Sequence, residues 1–209
     1  MTEALKRTFK VGAYSYWVPE EELPLSLDIG LLVFPLRYDI LIRKSFFDFY
    51  SDHRGLYQQN PSEFINALST HPYHTWFQKV LMVRYHSDRV IDEIAIRELF
   101  AEKVRAGALL YDSIQQRGFD TQFPIIPFTG ESILPATSGR AVTGKFFMGD
   151  GCHRLSCLMS MGYQELPRGF FRVRCFRSLS PFDNTALLTG HMDVDWSTYL
   201  PARNTGAKP

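Results

Sequence analysis

The chain has 209 residues, enough for one large domain or a core with a substantial insertion, and 45% of them are hydrophobic. Its 23 basic and 22 acidic residues leave a formal charge of +1, which argues against a dedicated nucleic-acid binder. No run approaches the roughly 18–20 apolar residues of a membrane span, the start carries no secretory-type apolar run, and 3 cysteines without a Cys-x-x-Cys pair fit a reducing cytoplasm.

Residues 1–35 are broken by Pro19, Pro24 and Pro35 and read as irregular. An acidic run, Glu20, Glu21 and Glu22, precedes Leu23-Pro24-Leu25-Ser26-Leu27, which reads as the first core strand. Residues 39–50 place Ile40, Phe46, Phe47 and Tyr50 at helical spacing. After Pro61, helices are expected over 62–68 and 75–83. The firmest pattern is a helix over 92–117, capped by Asp92 and ended by Gly118. Its apolar stripe is Ile96, Leu99, Phe100, Ala106, Leu110 and Ile114. Residues 129–144 form a Gly/Ser/Thr/Pro loop, the expected mobile segment and a candidate lid. Along 171–177, Phe171, Val173 and Cys175 alternate with Arg172, Arg174 and Arg177, the pattern of a half-buried strand with a basic outer face. The last ten residues read as a frayed tail.

The stretch 147–167 carries the most chemistry. A short apolar strand over 145–148 runs into a turn with Gly149 and Gly151, and a helix opens with Cys152, His153 and Arg154. Glycines let a ligand approach the backbone, and a helix start offers free N–H groups with partial positive charge. The turn therefore suits a phosphate, while Asp150 suits a metal ion or a proton. The competing reading is an ordinary strand–turn–helix in which Asp150 caps the helix and Arg154 is a surface charge. Arg37, Asp39, Arg43 and Lys44 could line a site for a polar or anionic substrate, or simply be a charged helix start. His71 and His74 lack a nearby third ligand, His53, His86 and His191 are isolated, and no metal site is assigned. Asp193, Asp195 and Trp196 could cover a pocket, although no spacing demands it.

Gly-Cys-His-Arg at 151–154 resembles the active-site turn of sulfiredoxin, and Asp-Gly-x-His-Arg at 150–154 resembles that of the free-serine kinases of the same superfamily. The wider order is similar to the N-terminal domain of ParB-like proteins. A helix ends at Ser113-Ile114 and Gly118, a Pro-Ile strand follows at 124–126, then the strand–turn–helix, and a closing strand over 170–176. The likeness spans residues 97–177. It implies an α/β (α+β) fold with a small mixed sheet. A single domain over 1–209 would comprise a mostly helical elaboration (1–90), a core (91–178) and a C-terminal extension (179–209). Arg37-Tyr38-Asp39 before a helix also resembles ParB-like proteins associated with bacterial cell-surface sugar biosynthesis.

The resemblance implies a kinase that phosphorylates a hydroxyl on a small metabolite or sugar-linked precursor. Phosphates of ATP or ADP would rest on Gly149, Gly151, Cys152, His153 and Arg154, with a hydroxyl contact from Ser113 and a magnesium ion bridging the phosphates. Asp150 and His153 would be catalytic, and Glu22 or Asp39 would be the base, with Arg37, Asp39 and Arg43 holding the acceptor. Two alternatives follow from the same likeness: sulfiredoxin-like thiol chemistry at Cys152, and a non-catalytic ParB-like nucleotide and DNA module. The expected partner is a small hydroxyl substrate rather than nucleic acid, a homodimer stays open, and a cytoplasmic location is expected.

Overall fold

The computed structural model describes residues 9–11, 15–34, 36–82, 92–130, 146–177, 179–181, 184–185, 188 and 192. The first half forms β1 (Phe9–Val11), β2 (Ser15–Trp17), a 3-10 turn (Glu20–Glu22), β3 (Ser26–Asp28), α1 (Ile29–Val33) and α2 (Asp39–Asp52). It continues through α3 (Arg54–Gln59), α4 (Pro61–Ala67) and α5 (Pro72–Trp76), which runs into a π-helical segment, Phe77–Met82. The second half holds the long α6 (Glu93–Arg117), β4 (Ile126–Gly130), β5 (Phe147–Asp150), α7 (Cys152–Ser160), β6 (Glu165–Pro167), β7 (Arg174–Phe176) and β8 (Leu179–Pro181). The chain is an α+β protein with small sheets, as its sequence implied.

Four strands pair in the order β2-β7-β4-β5, β4 and β7 parallel and the other pairs antiparallel. The N-terminal part is thus more than a helical elaboration, because β2 supplies an edge of this sheet, with Trp17 opposite Arg174. Arg172 and Arg174 stack over the Trp17 ring at 4.7 and 5.4 Å, so the basic outer face of β7 is covered by an aromatic. Phe171, Val173 and Cys175 face inward, as the alternation required. The strand expected over 23–27 is shifted to Ser26–Asp28 and pairs with β6. The strand expected over 145–148 is Phe147–Asp150, with residue 145 outside the described residues.

Pro127 shapes this sheet. It has no N–H to give to a ladder, and the β4–β5 register shifts at that point. Ile126 faces Asp150 and Pro127 faces Met148, which leaves Gly149 as the extra residue of a bulge. The bulge bends β5 just before the turn into α7.

The helices follow their local signals. Asp92 accepts the Ala95 N–H at 2.7 Å, and Gly118 ends α6 with φ 80°. The buried face of α6 differs from the expected stripe: Phe100, Val104, Gly107, Ala108, Tyr111 and Ile114 are buried, and Ala106 is exposed. The shift is set by Gly107, against which the Phe46 ring of α2 packs; a Cβ there would lie 2.5 Å from Phe46 Cε1. Instead of one helix over 75–83, Pro72 opens α5 at its first turn with His71 Nδ1 accepting the Tyr73 N–H at 3.1 Å. Thr129 and Gly130 of the expected loop belong to β4, and the rest of that loop lies outside the described residues. So do His86, His191, Asp193, Asp195, Trp196 and the last ten residues. One buried core runs from Val18 to Met192, joining both halves of the chain. Among the described residues no helix is long and apolar enough to cross a membrane.

Candidate functional site

The turn between β5 and α7 needs glycine twice, for different reasons. Gly151 caps α7 at φ 88°, ψ 22°, a left-handed conformation that side chains disfavour. Gly149 is tight rather than left-handed: a Cβ there would sit 2.4 Å from Phe128 Cε1 and 2.6 Å from the Ile126 carbonyl oxygen. Its missing side chain therefore makes room for β4 rather than for a ligand. The Asp150 carboxylate accepts the Gly151 N–H at 2.7 Å, so that amide is not free for a phosphate. No side chain caps α7, and the opening amides at Cys152, His153 and Arg154 keep the partial positive charge of a helix start.

Against this helix start lies the first turn of α2, and Arg37 joins the two. The Arg37 guanidinium donates from Nε to Asp39 Oδ1 (2.8 Å), from Nη2 to Asp39 Oδ2 (3.0 Å), from Nη1 to the Met148 carbonyl (2.7 Å) and from Nη2 to Cys152 Sγ (3.0 Å). Asp39 also receives Asn184 Nδ2 at 3.3 Å and lies 2.8 Å from Arg43 Nη1. All three charged residues are buried: Arg37 is 5%, Asp39 2% and Arg43 8% exposed. Burial alone would push the Asp39 carboxyl upward, but Arg37 and Arg43 override it and hold it well below the usual carboxylate range. Burial likewise opposes the Arg37 charge, and Asp39 and Cys152 more than offset it. The C-terminal extension takes part too. The Asn184 and Thr185 amides donate to the Leu36 carbonyl, and the Tyr38 N–H donates to Thr185 Oγ1 at 3.2 Å.

Arg43 differs from Arg37. Its guanidinium lies 4.7 Å from the Trp76 ring centroid. Its Nη1 approaches Asp39 without the alignment of a hydrogen bond, and both Nε and Nη1 are buried without a hydrogen-bond partner. His153 Nε2 lies 3.5 Å from the Tyr73 hydroxyl. Burial, then the charges of Arg43 and Lys103, keep the His153 imidazole neutral to well below its ordinary range. Lys103 of α6 is half-buried, and burial followed by repulsion from Arg43 lowers its pKa. Cations and helix-start amides thus converge on one side of Cys152 and His153, with Asp39 the buried carboxylate among them.

The other expected residues divide clearly. Asp150 is exposed beside the turn, with Arg154 Nη2 3.9 Å from its Oδ2. Arg154 also donates to the Phe123 carbonyl, which ties it to the loop before β4. Glu22 is exposed, and its segment is held by Arg168, which donates to the Leu23 and Pro24 carbonyls beyond the C-terminal end of α7. Ser113 accepts from Arg117 at 2.6 Å on its own helix, and Lys44 pairs with Asp48 at 2.7 Å on the surface of α2. Neither Glu22 nor Ser113 is bonded to the turn. Cys157 and Cys175 are core residues, with burial pushing the Cys157 thiol up to about 12.

Tyr73, Trp76, Lys103 and Asn184 escaped the sequence reading; only the aromatic density around 73–77 hinted at the first two. No protein-family model, curated protein or solved structure matches the chain. Among the described residues no three His, Cys, Asp or Glu side chains converge as a metal site. The exposed carboxylate of Asp150 suits a magnesium ion that takes its remaining oxygens from phosphates and water, or a proton, but not both at once. With Asp150 as base, magnesium would be held by phosphates and water alone.

Proposed function

We propose that the chain is a nucleotide-dependent phosphotransferase of ParB/sulfiredoxin type, with nucleotide phosphates resting on the first turn of α7 and a hydroxyl-bearing small molecule as acceptor. The observation that carries the reading is the Arg37 bridge. One guanidinium binds the β5 carbonyl of Met148, Cys152 and Asp39 together, which fixes the amides of Cys152, His153 and Arg154 beside Arg43. Cations and amides held in place before the reaction suit the charge that spreads over the transferred group.

ATP or ADP would supply the phosphoryl group, and magnesium would neutralise its oxygens. Asp150, the carboxylate exposed at the turn, orients the acceptor hydroxyl and takes its proton. Asp39 is held by two guanidiniums and serves as an anchor for them rather than as a base. His153, kept neutral, offers a ring nitrogen as acceptor to a hydroxyl without adding charge. Arg154 and the three amides hold the phosphates.

Thermal unfolding with magnesium and ATP, ADP, CTP or no nucleotide tests the reading on wild type and Arg154→Ala. Ligand at about 100 times its Kd adds roughly 2.7 kcal/mol, a rise of about 5–10 °C for a chain of this size. The expected result is a rise with an adenine nucleotide that shrinks in Arg154→Ala, and loss of phosphoryl transfer in Asp150→Asn. No rise with any nucleotide would sink the proposal. A second reading, thiol chemistry at Cys152, is favoured by the Arg37 N–H directed at its sulfur. Cys152→Ser separates the two: a phosphotransferase keeps most of its turnover, whereas lost turnover with intact nucleotide binding selects the thiol.

A further inference from the structure

Arg43 is a buried cation that shares its counter-ion: Asp39 Oδ2 lies 2.8 Å from its Nη1, and neither Nη1 nor Nε has a hydrogen-bond partner among the described residues. Buried polar groups almost always find partners, and a charged one without them calls for an explanation. Asp39 pairs with Arg43 but is also engaged by Arg37 through both oxygens and by Asn184, so one carboxylate faces two guanidiniums. Arg37, by contrast, spends four of its N–H donors on Asp39, Met148 and Cys152. Around Arg43 lie Trp76 on one face, then Tyr73, His153 and Lys103. The one anion among its described neighbours is Asp39, which Arg37 shares. The opening amides of α7 add a further positive end.

From these contacts we infer that the acceptor itself carries an oxyanion, a phosphate or a carboxylate, which docks on the unpartnered Nε–H of Arg43 with Lys103 beside it, separately from the nucleotide's phosphates. The inference rests on the phosphotransferase reading for the word acceptor, but not for the anion site. A guanidinium N–H gives such a group a charge-assisted hydrogen bond, and the Trp76 ring packs 4.7 Å from the Arg43 guanidinium. Arg37 and Asp39 then act as positioning residues: they aim Arg43 and touch no substrate.

The test titrates inorganic phosphate, and separately acetate, into the full chain at constant ionic strength while the Nε–H resonance of Arg43 is followed by NMR. Each titration is repeated with magnesium and a non-hydrolysable ATP analogue at saturation. The expected result is a saturable shift of that resonance by at least one anion, retained with the analogue bound. A preference for phosphate or for acetate assigns the group on the acceptor. Lys103→Met should weaken the anion about tenfold, the loss of one charge-assisted contact, and Arg43→Met should abolish its binding while the chain still unfolds cooperatively. An Arg43 resonance unmoved by either anion overturns the inference. So does competition by the nucleotide analogue, which would make this the nucleotide's own phosphate site. Anion binding without any nucleotide binding would leave the subsite standing and remove the phosphotransferase reading instead.

Discussion

Replacing Asp39 with Asn tests whether the Arg37–Asp39–Arg43 network holds the site together. The Asp39 side chain is 3% exposed, 2.8 Å from both Arg37 Nε and Arg43 Nη1. An amide has nearly the same shape but no charge, and one of its two ends is a donor. In place it would set an NH2 group against a guanidinium and leave two buried cations, whose side chains are 6% and 10% exposed, without a counter-charge. Breaking a buried pair in this way costs about 3–5 kcal/mol, a large share of the roughly 5–15 kcal/mol that a folded domain has. At about 2–4 °C per kcal/mol the melting temperature should fall by about 10 °C. Urea unfolding at pH 7 measures the loss directly, with an unchanged slope showing that the same surface is exposed. The pH dependence supplies a second check. Asp39 is held below its ordinary pKa, so its contribution is present above about pH 4 and fades as the pH falls further. Wild type and Asp39→Asn should therefore converge in acid. A loss under about 1 kcal/mol at pH 7, or a difference that persists in strong acid, would refute the network as the anchor of this site.

Two further perturbations test neighbouring parts of the argument. Gly149→Ala places a Cβ 2.4 Å from the Phe128 ring and 2.6 Å from the Ile126 carbonyl. It should cost about 1–3 kcal/mol in thermal unfolding, and a neutral result would mean the bulge is not under this constraint. His71 accepts the Tyr73 N–H on Nδ1, and burial lowers its pKa to about 4. Its share of the stability is complete above about pH 6.5 and lost as pH falls toward 4, because the unfolded state takes up the proton first. His71→Asn keeps a capping oxygen without a titrating ring, so it should flatten the stability–pH curve in that window by about 2 kcal/mol. Identical slopes for variant and wild type would assign the acid loss to other histidines, since His74 and His153 are shifted the same way.

What the sequence made legible was what local chemistry decides. Asp92 and Gly118 bracket α6, Ile40 to Tyr50 mark α2, and Gly151 marks the opening of α7, and all three helices are present. Asp39 and Arg43 stand at i, i+4 on one helix, the spacing that carries their ion pair. Residues were misjudged where a distant segment decides. Gly149 read as a ligand cradle because its constraint comes from Pro127 and Phe128 on a neighbouring strand. Ala106 read as core because Gly107, an unpromising helix residue, is the one that Phe46 packs on. Glu22 and Ser113 looked available in one dimension; Ser113 accepts from Arg117 on its own helix, and Arg168 ties the Leu23 and Pro24 carbonyls that follow Glu22. Asn184 reaches Asp39 across 145 positions, and nothing near it in the sequence hints at that.

The contrast between the two arginines gives the network a test of purpose. Arg37 and Asp39 cancel in charge and satisfy each other through two hydrogen bonds, with Asn184 completing the carboxylate. Arg43 adds a second positive charge to a pair already neutral, leaves two nitrogens without a hydrogen bond and opposes the protonation of Lys103 and His153. As scaffold it is a poor choice: an apolar side chain of similar volume would still pack on Trp76 and would bury no charge. Arg43→Met should therefore leave the chain as stable as wild type, or up to about 2 kcal/mol more stable, unlike Asp39→Asn. Phosphoryl transfer should be lost in both variants. Denaturant unfolding of the two side by side decides the matter. A gain or no change for Arg43→Met marks a side chain kept for what it binds, as unsatisfied groups at functional sites usually are. A loss as large as that of Asp39→Asn would mean that Arg43 is structural, and that its two open nitrogens are met by residues beyond those described.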